Sequence, residues 1–123
     1  MAKARIAPDA GDASVRAALA GSDDRDTLAL AARYLLQVLG DAAPGNTLEV
    51  RVPPFGAAQV VEGPRHTRGT PPNVVEMDAA TWLALATGSL GWHEAIAQNR
   101  VSASGSRADL EEYLPLAWEM MEG

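Results

Sequence analysis

The densest gathering of side chains able to do chemistry lies between Gly63 and Pro72, GPRHTRGTPP, where Arg65, His66 and Arg68 fall within four residues. Guanidinium groups present a planar fork that matches carboxylate and phosphate oxygens. Two readings stand for this segment. It is either the solvated tip of a hairpin or a contact for an anion: an acyl carboxylate, a phosphate head group or an acidic partner. Gly63–Pro64 on one side and Pro71–Pro72 on the other limit its backbone freedom, so less entropy is lost on engagement.

Elsewhere the reactive residue types fall in patterns that do not support catalysis. The second histidine, His93, precedes Glu94, but an HExxH zinc motif needs histidine at position 97, which is alanine. There are no cysteines, which removes thiolate ligands, thiol nucleophiles and disulfides. Ser102, Ser104 and Ser106 flank Gly105 outside any strand–elbow–helix context. Glu76 and Asp78 form a carboxylate pair, yet Asp78 is accounted for as a helix cap. Neither the Walker nor the dinucleotide-binding glycine pattern occurs. The expectation is a protein without catalytic residues, metal or cofactor.

Composition narrows the partners. The chain has 123 residues with ten basic and sixteen acidic side chains, a net charge of −6. An acidic chain of this kind is a poor nucleic-acid binder. No stretch approaches a membrane span. The N-terminus lacks the apolar region of a secretory signal, and Met121–Glu122–Gly123 is not a peroxisomal address. A cytoplasmic protein of one domain is expected, with residues 1–10 as a flexible arm and residues 11–123 as the domain.

The elements that must position any site follow from periodicity. Ala13–Ala20 suits a short helix ended by Gly21. A longer helix opens at Asp23 and runs to Leu39, stopping at Gly40, with Leu28, Ala32, Leu35, Leu36 and Leu39 on one face, which reads as core packing against a sheet, as one wall of a ligand pocket, or as both. Thr47–Val52 alternates as a strand with one wet face, and Ala57–Val61 makes its antiparallel neighbour. Val74–Met77 is a third strand. Asp78 caps a helix carrying Trp82, Leu83, Leu85 and Ala86, and Gly88 ends it in the left-handed region. Trp92, Ala95 and Ile96 form a second short apolar face, and Val101–Gly105 returns to strand spacing. Ser106 and Asp109 resemble a capping box for a last helix bearing Leu110, Tyr113, Leu114, Ala117 and Trp118. Pro115 would kink that helix or stop it near Leu114. The apolar phases of these elements predict a core of Leu35, Leu39, Leu48, Val50, Val60, Val75, Leu83, Ile96, Val101 and Leu114.

The order acidic strand end, D-x-x-x-W-L-x-L-x-x-G, short helix, V-S-A-S-G and D-L-x-x-Y-L resembles the second half of the sterol carrier protein (SCP2-like) domain, over roughly Thr47–Leu116. The chain as a whole is similar to small, stand-alone actinobacterial members of that superfamily. The resemblance implies an α+β fold, a small and mostly antiparallel sheet with helices on one face. It also implies non-enzymatic binding or carriage of a hydrophobic small molecule, fatty acyl or sterol-like, between sheet and helices. Core packing is the default for Trp82, Trp92 and Trp118, but Trp82 or Trp92 could instead line that pocket. The ligand-binding set is then Trp82, Leu83, Ala86, Trp92, Ile96, Arg65 and Arg68. The small residues Ala57, Ala58, Ala79, Ala80, Ala84 and Ala86 either leave room for a ligand or allow close packing. The rival is a protein-interaction module that kept the fold without a working pocket. A similar domain is fused to thiol-dependent maleylpyruvate isomerases, where the metal chemistry belongs to another domain.

Overall fold

A computed structural model describes residues 4–63 and 73–119. Arg65, His66 and Arg68 lie outside the described residues. The elements in chain order are α1 Pro8–Leu19, α2 Arg25–Ala42, β1 Leu48–Val52, β2 Gly56–Val60, β3 Asn73–Met77, α3 Ala79–Thr87, α4 Trp92–Ala97, β4 Val101–Ser104 and a 3₁₀ turn at Glu111–Tyr113.

The helices begin where backbone donors find a partner or are not needed. α1 starts at Pro8, ahead of the expected Ala13, because proline supplies helical φ and lacks an N–H that would go unpaired there. It crosses α2 closely at Gly11, where a Cβ would lie 2.2 Å from the Tyr34 ring. α2 is capped by Asp24 rather than Asp23. The Asp24 carboxylate accepts from the Thr27 N–H at 3.0 Å and from its hydroxyl at 2.9 Å. α2 also runs through Gly40 to Ala42. A glycine there costs about 1 kcal/mol of propensity, and the fully buried Leu39 packs its last turns. α3 behaves as expected. Asp78 accepts from the Thr81 N–H at 2.8 Å, and Gly88 closes the helix at φ 93°.

The sheet has the order β2-β1-β3-β4. β1 pairs antiparallel with β2 and parallel with β3, and β3 pairs antiparallel with β4. Two of the three pairings are antiparallel, so the sheet is mostly antiparallel as expected, and the parallel β1–β3 pair makes it mixed. Register brings Leu48, Val60 and Asn73 into one row and Val50, Ala58 and Val75 into the next, all in one phase. The helices cover that face, which makes the fold α+β. Glu49 and Arg51 lie in the opposite phase and pair at 2.9 Å.

Beyond β4 the expected final helix is absent. Asp109 accepts from the Glu111 N–H at 2.8 Å, and only the single 3₁₀ turn follows. Pro115 disfavours helical geometry at the residue before it, and Leu114 is extended at φ −112°, ψ 144°. The segment instead straps across α3: the Leu116 N–H donates to the Ala86 carbonyl at 2.8 Å. That strap buries Leu110, Leu116 and Trp118. The remaining core holds Leu35, Leu39, Leu48, Val50, Val60, Val75 and Leu83 as expected. Val101 and Leu114 are only partly buried, and Ile96 is 39% exposed on the outer side of α4.

A groove between α2 and the edge strand

The expected ligand-binding residues do not converge on one pocket. Trp82 is fully buried, and its indole N–H donates to the Ala32 carbonyl at 3.1 Å. That bond pins α3 to α2 and satisfies the one polar atom the ring carries. Ala86 is fully buried beneath the C-terminal strap, and Trp92 is buried beside Ala95. These three fill the core. Leu83, nearly buried, reaches the wall of a groove of about 320 Å³ between α1, α2 and α3, which Ala18, Leu19, Leu28, Ala79, Ala80, Ala84 and Ser89 also line. Ile96 lies on neither surface.

A larger opening lies on the opposite flank of α2, where the helix crosses the edge strand β2. This groove has a volume of about 480 Å³, within the range of small-molecule sites. Leu30 and Leu36 from α2, Phe55, Gly56, Ala57 and Ala58 from β2 and its approach, and Ile6 from the N-terminal segment supply its walls. The sequence explains the space. Ala58 stands in the covered phase of β2, in the row of Val50 and Val75, but is one carbon beyond the backbone. Gly56, in the same phase, has no side chain at all. A Cβ there would sit 3.5 Å from Leu36 and 3.6 Å from Arg33, in ordinary contact.

The N-terminal segment closes one end. Gln37 binds the Ile6 backbone twice, accepting from its N–H and donating to its carbonyl, each at 3.0 Å. Arg5 and Asp41 form an exposed two-bonded ion pair, and that carboxylate holds the Arg5 guanidinium above its ordinary pKa. At the other end Arg33 donates from Nε to the Phe55 carbonyl at 2.7 Å. The Arg25 guanidinium stacks over the Phe55 ring at 5.4 Å. Sequence reading marked Ala57 and Ala58 as possible room for a ligand and the α2 face that holds Leu36 as core or pocket wall, but not Leu30, Phe55 or Ile6. Phe55 sits within a Pro-Pro-Phe-Gly turn.

Among the described residues no three His, Cys, Asp or Glu side chains come together as metal ligands, and no helix is long and apolar enough to cross a membrane. His93 and Glu111 pair at 2.7 Å on the surface. The sequence profile of the bacterial SCP ortholog family matches residues 24–116, from the α2 cap to the strap over α3. The chain belongs to this family, and through it to the sterol carrier protein superfamily. No relative was found among curated proteins. The family match covers α2, β2 and Phe55, so it includes most of the groove. Ile6 and Arg5 stand ahead of it.

Proposed function

We propose that this protein is a non-enzymatic cytoplasmic carrier of a hydrophobic small molecule, a fatty acyl or sterol-like lipid held in the α2–β2 groove. The observation that carries this reading is the groove itself. It is an apolar opening of ligand size between sheet and helix, in a domain of a carrier family. Its floor is made of residues too small to fill it, with leucine and phenylalanine walls. Burial of an apolar tail there gains about 25 cal/mol per Å² removed from water. No bond need be made or broken. Arg65 and Arg68 remain candidates for a second contact to the ligand.

The test is native mass spectrometry of the gently purified protein for a co-purified lipid, followed by calorimetric titration with laurate. Saturable binding that Ala58→Phe weakens by about tenfold or more supports the groove. Absence of binding by either method removes the carrier reading.

A second reading, an interaction module, is favoured by Leu19. This residue is 50% exposed and lines both the α1–α3 groove and an adjoining one with Trp118. An apolar surface of this kind suits a protein partner. Under this reading Leu19→Lys abolishes partner binding and leaves lipid titration unchanged.

A further inference from the structure

We infer that the α2–β2 groove selects amphiphiles with an anionic head, and that Arg33, with Arg25 beside it, receives that head at the Phe55 end. The inference rests on the carrier reading of the groove and adds the chemical class of its ligand.

The argument begins with the charges on the groove. Three charged side chains line it: Arg5, Arg33 and Asp41. Arg5 and Asp41 neutralise each other through their two hydrogen bonds. Arg33 has no carboxylate partner among the described residues. Among the described residues its charge is therefore the one left uncompensated on the wall, in a protein whose net charge is −6. Arg33 is also oriented. Its Nε is held by the Phe55 carbonyl, which fixes the guanidinium plane and leaves its terminal nitrogens to donate elsewhere. A guanidinium held in this way loses less entropy when it binds a carboxylate or phosphate.

Arg25 adds a second cation at the same end. Its guanidinium lies over the Phe55 ring, and it too has no ion pair among the described residues. One arginine thus lies over the Phe55 ring and the other holds the Phe55 carbonyl, and Phe55 forms part of the apolar wall. Leu30 lies between the two arginines along α2, and Leu36 and Ala58 continue the wall from Arg33 toward the Arg5–Asp41 end. This is a layout that suits an amphiphile, with uncompensated positive charge at one end, hydrocarbon beside it and a neutralised ion pair at the far end. A neutral lipid would gain the wall and leave Arg33 unused. Carboxylate and phosphate heads share the acceptor chemistry that the site offers.

The experiment is isothermal titration of the full chain with four probes: laurate, dodecyl phosphate, dodecanol and inorganic phosphate. Wild-type protein, Arg33→Gln and the Arg25→Gln, Arg33→Gln double variant are compared at low and high salt. The wild type is expected to bind laurate and dodecyl phosphate about tenfold or more tightly than dodecanol. That margin should shrink as salt rises. The double variant should lose the margin and keep its dodecanol affinity.

Equal wild-type affinity for dodecanol and the charged amphiphiles overturns the head-group inference while leaving the carrier reading intact. Failure of all three amphiphiles to bind overturns both. Inorganic phosphate binding as tightly as dodecyl phosphate reveals an anion site without an apolar contribution and overturns the inference. A parallel loss for dodecanol in Arg33→Gln assigns Arg33 to holding the Phe55 turn, which also overturns it.

Discussion

Two surfaces of α2 meet small residues, and they end differently. On one side Trp82 of α3 presses against the helix with Ala86 buried one turn on, and the indole N–H is spent on the Ala32 carbonyl. No space remains around Trp82 and Ala86, both fully buried, because a large ring and a strap from the C-terminal segment fill what the alanines leave. On the other side Gly56 and Ala58 of β2 face Leu36 and Arg33, and β2 is an edge strand in the described sheet. No large side chain from those strand positions fills the gap, and about 480 Å³ stays open. Small residues make close packing where a bulky partner comes to them and a groove where none does.

Breaking the closed side should have the largest effect. Trp82→Ala is expected to lose about 3–5 kcal/mol of stability in urea unfolding, through a cavity and the lost indole bond to the Ala32 carbonyl. A loss below about 1 kcal/mol would place the ring outside the sealed core. Next comes Ala86→Phe. Overpacking a filled site should cost about 1–3 kcal/mol, measured by the same unfolding curves.

The cap that starts α3 has a smaller part. Asp78→Ala should cost about 1 kcal/mol at neutral pH. Hydrogen bonds from the Thr81 hydroxyl and from its backbone N–H hold the Asp78 carboxyl below its ordinary pKa. A depressed folded-state pKa means the stabilisation is complete above the unfolded value, near ~4. It is lost as pH falls through the folded one. Wild-type and variant stabilities should therefore converge in acid. Curves that stay parallel down to low pH would show that the carboxylate is not the stabilising group.

The smallest effect on stability belongs to the open side. Ala58→Phe, chemically the same change as Ala86→Phe, should shift stability by about 0.5 kcal/mol or less, because the groove can take the ring. A cost equal to that of Ala86→Phe would mean the groove is closed in solution, and the comparison between the two flanks would fail.

Local chemistry made several elements legible from the residues alone. Alternation of Leu48, Val50 and Val52 identified a strand, because side chains repeat every two residues and only one face is dry. Asp78 and Gly88 marked the ends of α3 because a free amide needs an acceptor and a left-handed residue favours glycine. The leucine face of α2 identified its buried side. The order of these signals was enough to indicate the sterol carrier superfamily. Other features depended on residues distant in sequence. All four strands carry compatible alternation, so nothing local places β3 beside β1 rather than β2, and the sheet became mixed. Pro115 forbade a regular helix, but the extended strap is held by Ala86, a partner thirty residues earlier in the sequence. Trp82 and Ala58 are both apolar positions facing α2. Only the tertiary structure decided which is packed shut and which borders a groove, because volume is left over or filled according to what the rest of the chain brings opposite.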